Sequence, residues 1–169
     1  MKEKFRITRN PSSEDDLRFL ISEVGPLPSA YIQFLRETDG SEYGITDQPG
    51  DCIVLWGCRE IVENNKTRDI QQQLPNALVI GSDGGDDALL FDCSVSRDNP
   101  NEWPVVRVDF ASLEPEEFVV QSPSFSEWAK NDFRLTAAEP PKFDLPPAKD
   151  WNADIDKLVK DSPEGNDPL

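Results

Sequence analysis

An α+β fold is what this sequence predicts, and three observations lead to it. Apolar residues recur at helical spacing up to Gly40, the period shortens to that of strands from Glu42, and helical spacing returns after Ser124. Helices, then strands, then a closing helix is the order expected when helices gather on a sheet rather than alternate with its strands. The chain has 169 residues, enough for one domain with its own core plus a tail.

The first helix begins at Ser12 and Ser13, hydroxyls suited to capping, followed by Glu14, Asp15 and Asp16, acids that favour the positive end of a helix. Leu17, Leu20, Ile21 and Val24 supply its apolar stripe, and Gly25 is positioned to close it. Gly25-Pro26-Leu27-Pro28 is a stiff elbow. Ser29 is the expected cap of a second helix carrying Tyr31, Ile32, Phe34 and Leu35, which ends at Asp39-Gly40. Tyr43–Ile45 and Cys52–Trp56 then read as strands on either side of a turn-rich segment, 46–51. Arg59 to about Gln73 reads as a polar surface helix anchored by Ile61, Val62 and Ile70, with a break near Asn64-Asn65. Leu78–Ile80 and Ala88–Phe91 are strands around a glycine- and aspartate-rich loop. Val105–Phe110 alternates as a strand should, and Phe118–Val120 forms a short strand or an extended lead-in. Ser124 caps the last helix, whose contacts are Phe125, Trp128, Phe133 and Leu135.

Beyond Leu135 the composition shifts, which divides the chain into a domain over 1–135 and a Pro-rich acidic tail over 136–169. Residues 135–169 hold six of the fifteen prolines and a net charge of −4. A short amphipathic helix is expected near 151–159, with Trp151, Ile155, Leu158 and Val159 on one face. The whole chain carries −16, so −12 belongs to the folded part. Such acidity argues against nucleic acid and against anionic membrane surfaces as partners. No histidine is present, which removes Ser-His-Asp and Cys-His nucleophiles and His-ligated zinc from this chain acting alone. The basic start, Met1–Arg6, is not followed by the apolar run of a signal sequence, so a cytoplasmic protein is expected. Cys52, Cys58 and Cys93 are odd in number and lack C-x-x-C spacing, and read as buried or half-buried thiols.

The loop Gly81-Ser82-Asp83-Gly84-Gly85-Asp86-Asp87 invites three readings. Phosphate binding is opposed by three aspartates and by the strand, not helix, that follows. Calcium suits the oxygen ligands but not their spacing. A tight turn whose glycines supply positive φ needs nothing further and is favoured. Paired carboxylates can also run hydrolysis, and Asp83 with Asp47 or Glu42 is the pair to consider. A chain with 33 acids brings some pair together by chance, so the pair alone is weak ground for a hydrolase. Trp56, Trp103 and Trp128 are expected in the core or at its edges.

Three blocks together resemble the SUKH superfamily, the Smi/Knr-like domain of bacterial immunity proteins and of a fungal cell-wall synthesis regulator. The first is Ile21-x-x-x-Gly25-x-Leu27-Pro28-x-x-Tyr31-x-x-Phe34-Leu35 leading to Asp39-Gly40. The second is the strand to Trp56 followed by Glu60-Ile61-Val62-x-x-Asn65. The third is Leu78-Val79-Ile80-Gly81-x-Asp83-Gly84-Gly85-Asp86, running into Ala88–Asp92. Their order and spacing carry the resemblance over about residues 12–135; the tail and the stretch 94–104 lie outside it. The resemblance implies N-terminal helices packed on a mostly antiparallel sheet with a helix at the end. It also implies a non-enzymatic protein-binding module, expected to need no cofactor or metal, often one that neutralises a toxin.

An acidic immunity protein suits a basic partner such as a nuclease domain, because a negative surface mimics phosphate and steers encounter. A housekeeping regulator of the same fold and a carboxylate hydrolase are the alternatives, and a monomer or weak dimer is expected. The residues expected to meet the partner are Glu42, Asp47 and Asp51 ahead of the Trp56 strand, and Asp83, Asp86 and Asp87 in the glycine loop. Tyr43 is their expected aromatic anchor.

Overall fold

The computed structural model describes residues 4–45 and 52–136. The elements run β1 (Lys4–Thr8), α1 (Glu14–Val24), α2 (Ser29–Glu37), β2 (Ser41–Ile45), β3 (Ile53–Leu55), α3 (Cys58–Thr67), α4 (Ile70–Gln73), β4 (Ala77–Ser82), β5 (Asp87–Asp92), β6 (Val105–Asp109), β7 (Val119–Ser122) and α5 (Phe125–Lys130). Among the described residues the strands form one sheet in chain order, β1 to β7, and every neighbouring pair is antiparallel. The α+β expectation holds, with helices ahead of most of the sheet and one closing it. No described helix is long and apolar enough to cross a membrane.

The first helix follows its sequence signals closely. The Ser13 hydroxyl accepts the Asp16 N–H at 3.0 Å, and Gly25, at φ 85°, donates its N–H to the Ile21 carbonyl. The second departs from expectation at both ends. Pro28 occupies the capping position without a side-chain bond, and Ser29 is already the first helical residue. Its N–H, left without an intrahelical acceptor, donates to the Asn101 side chain at 2.8 Å. The helix stops at Glu37, two residues before Asp39-Gly40, because Thr38 turns extended.

Two further corrections concern β1 and the middle helix. Lys4–Thr8, lacking a long apolar run, nevertheless pairs with β2 as an edge strand, and Phe5 lies on Gly44, where a Cβ would stand 2.4 Å from the ring. The polar helix does not break at Asn64-Asn65. It breaks at Arg68-Asp69, where Asp69 adopts φ 49°, and a separate turn, α4, follows. Asn65 stays helical because its amide is bonded on both sides: Nδ2 donates to the Ile61 and Val79 carbonyls, and Oδ1 accepts the Val79 N–H. The last strand is shifted to Val119–Ser122, and Cys52 lies just outside β3. The expected tail helix lies outside the described residues.

The core is aromatic at its centre. Tyr31 meets Phe91 and Phe125 edge-on with ring centroids 5.2 and 4.9 Å apart, and Trp128 meets Phe133 at 5.1 Å. Edge-to-face packing of this kind adds about 0.5–1.5 kcal/mol per pair beyond the area buried. Trp56, Trp103 and Trp128 are all buried, and the indole N–H groups of Trp103 and Trp128 donate to the Ser96 and Arg134 carbonyls. Gly81 marks the tightest approach in the sheet. A Cβ there would stand 2.1 Å from the Val54 carbonyl oxygen, and β4 shifts register between Val79 and Gly81.

Candidate functional site

Asp39 of the Asp39-Gly40 motif and the aspartates of the glycine loop have different surroundings. Asp39 sits between α2 and β2 and turns its carboxylate onto the start of α3. Its Oδ1 accepts the Cys58 N–H at 2.8 Å and the Ser12 hydroxyl at 2.7 Å. The capping residue of α3 is Gly57, which has no side chain to offer, and a Cβ there would meet the Asp39 carboxylate at 2.7 Å. Asp39 therefore caps α3 from a distance, with Glu60 reaching back to the Gly57 N–H and holding Arg9 at 2.6 Å. This is scaffold chemistry.

The β4–β5 turn differs. Asp83 closes it: its backbone N–H donates to the Asp87 carbonyl, and its Oδ1 accepts the Gly85 and Asp87 N–H groups at 2.9 and 3.2 Å. Gly84, at φ 78°, supplies the left-handed residue. A tight turn thus accounts for Gly84, while Gly81 answers the close approach of Val54 and Gly85 takes no positive φ. Asp86 is exposed at the tip while its carbonyl accepts the Phe110 N–H. Asp87 opens β5 and pairs with Arg107 at 3.4 Å. Its carboxyl is pushed above the ordinary value by partial burial and then by Asp83, against the pull of Arg107. Asp109, not foreseen as a site residue, stands directly opposite Asp87 in the β5–β6 register and adds to that push. The alternation of Val105–Phe110 announces a strand, but only the register reveals which residue it sets beside Asp87.

Glu42 lies on β2 opposite Val54, half-buried, and not on a turn. Cys52 links it to the glycine loop. Burial raises that thiol, and Glu42 and Asp83 both add to the rise; a Cβ on Gly84 would stand 3.1 Å from the Cys52 Cβ. Glu42 and Asp83 are thus both close enough to Cys52 to act on its thiol. Asp47 and Asp51 lie outside the described residues. Tyr43 does not join them. Strand neighbours point to opposite faces, and Tyr43 packs its ring on Phe133 at 4.4 Å with the Arg6 guanidinium 5.2 Å from its centroid. An aromatic side chain in β2 finds its burial against the core, so it is removed from the acidic turn.

The three thiols are free, and burial holds Cys58 at about 11 and Cys93 at about 12, so neither is poised as a nucleophile. Two cavities of about 530 and 400 Å³ open on the described surface, and neither is lined by Asp83, Asp86, Asp87 or Asp109. The raised carboxyl of Asp87 sits on an open strand end beside an arginine.

A family model described as the SMI1 / KNR4 family (SUKH-1) matches residues 11–131. The match spans every described helix and β2 to β7, and leaves β1 outside. No curated protein matches the chain significantly.

Proposed function

We propose that this chain, which belongs to the SMI1 / KNR4 family (SUKH-1), is a non-enzymatic, cytoplasmic immunity protein that neutralises a basic toxin domain, a nuclease being the kind it suits best. Membership supports a domain of the immunity or regulator type that binds protein partners. The toxin as target is our reading of the surface.

One observation carries it: Asp83, Asp86, Asp87 and Asp109 gather at the joined ends of β4, β5 and β6, and Arg107 is the cation paired among them. Asp83 and Asp87 are partly committed to the turn and to Arg107. Asp86 is exposed at its tip and Asp109 beside it on the strand end. Charges presented on a rigid hairpin are already arranged before encounter, so a basic partner meets a fixed field and associates faster at low salt. Glu42 and Cys52 extend the face toward β2, and Asp47 and Asp51 belong to the same proposal. Tyr43 is not its anchor.

The test is co-expression with the product of the neighbouring gene, followed by growth measurements and by binding measurements on the purified pair. Rescue of growth and a salt-sensitive complex support the proposal. Binding that is indifferent to salt, or rescue without a complex, opposes it.

A further inference from the structure

The larger cavity carries charge of the opposite sign to the rest of the protein. It holds about 530 Å³, within the range of small-ligand sites, and lies between β1, β2 and the segment after α5. Lys4, Arg6 and Arg134 line it against a single acid, Asp132, in a chain of net charge −16. Lys4 is paired with Asp132 at 3.4 Å. Among the described residues neither Arg6 nor Arg134 has a carboxylate partner.

The walls are aromatic. Tyr43 and Phe133 pack ring against ring, tilted by 36°, along one side of the cavity, and the Tyr43 hydroxyl is buried without a hydrogen-bond partner among the described residues. Such an orphaned donor costs about 1–3 kcal/mol unless something accepts from it. Asp132 and Phe133 both adopt left-handed backbone conformations, φ 55° and 53°, a costly arrangement for non-glycine residues that turns Phe133 back onto Tyr43. Of these six residues only Tyr43 falls within the family-matched span, 11–131. Gly44, Ile53 and Ala129 also line the cavity from within that span, so its charged side chains come from the segments flanking the match and part of its floor from the matched fold.

We propose that this cavity binds a carboxylate carried on an apolar, ring-sized body, with Arg6 and Arg134 holding the carboxylate and Tyr43 and Phe133 the body. Two guanidiniums lining one cavity suit a carboxylate in charge and hydrogen-bonding geometry, and the aromatic wall beside them suits an apolar body. The carboxylate belongs either to a free aryl acid or to a Glu or Asp side chain of a peptide; the chemistry of the cavity is the same for both. The site is separate from the acidic turn and does not depend on the toxin reading.

The experiment is a titration of the full-length, ¹⁵N-labelled protein, followed by amide NMR, with 3-phenylpropionate, its primary amide, and the blocked peptide acetyl-Glu-Phe-Glu-amide. Saturable shifts confined to β1, β2 and residues 129–135 are expected with one or both acids, and the amide should bind at least ~10-fold more weakly. The tighter of the two acids names the source. The double variant R6Q/R134Q, altered at exposed side chains, should keep its spectrum elsewhere and lose ~10-fold or more in affinity. The proposal is overturned if neither acid gives saturable shifts up to about 10 mM, if the amide matches the acid, or if R6Q/R134Q binds as the parent does.

Discussion

Asp39 and Asp86 are both aspartates beside a glycine, both within the blocks that resemble the family, and their carboxylates have opposite surroundings. The Asp39 carboxylate is occupied twice over, by the Cys58 N–H and the Ser12 hydroxyl, and ties the start of α3 to the segment ahead of α1. Asp86 commits only its backbone carbonyl, to Phe110, and presents its side chain to solvent. The same residue type is structural where backbone donors converge on it and available for a partner where none does. Most of the family blocks fall on the Asp39 side of that division. Tyr31, Phe34, Trp56, Ile61, Asn65 and Gly81 hold the fold together, so most of the motif residues identify the architecture.

Variants can sharpen that division. Gly81→Ala should be the most damaging, because its Cβ would sit 2.1 Å from the Val54 oxygen and neither backbone can retreat without breaking the β3–β4 pairing. A loss of about 3 kcal/mol or more, measured by urea unfolding, is expected. Asn65→Leu should cost about 2–3 kcal/mol, since it strands the buried Val79 N–H and two carbonyls that the amide now satisfies. Asp39→Ala should cost about 1–2 kcal/mol as a lost cap, with Asp39→Asn milder because the amide oxygen can still accept. If Asp39→Ala were as harmless as a surface change, the contrast drawn with Asp86 would fail.

Asp87 gives a smaller, pH-dependent effect. Its carboxyl holds a proton to higher pH in the folded chain than in the unfolded one, so ionising it weighs against folding. Asp87→Asn should therefore raise the thermal midpoint slightly at neutral pH. The gain should shrink as pH falls through the raised value and vanish below the ordinary carboxylate value of 3.8. A gain that grew on acidification would reverse the sign of the argument. Asp86→Lys should change stability by less than about 0.5 kcal/mol, the smallest effect on folding.

How much of this was legible beforehand depended on whether the signal was local. Ser13, Gly25 and Ser124 act on their own helix ends, and each closes the bond its type suggests. Asp39 and Asn65 act across the fold, on α3 and β4, and their spacing alone could suggest a motif but not a partner atom. Lys4–Thr8 carries little hydrophobic pattern because an edge strand buries little; its pairing comes from β2. At the acidic turn the residues were readable as a cluster, whereas the presence of Asp109 and the departure of Tyr43 follow from register and strand alternation. Arg6 and Arg134 are 128 positions apart along the chain, and nothing in the sequence brings them to one cavity.

The association rate of the Asp86→Lys protein with a basic partner domain captured from the native organism, measured at low and at physiological salt, tests the central proposal most directly. A rim charge on a steering face acts mainly on encounter. The variant should associate several-fold more slowly at low salt, with a flatter salt dependence and an unchanged unfolding curve. An association rate equal to that of the parent at low salt, with the fold intact, would contradict the assignment of the acidic turn as the partner-binding face.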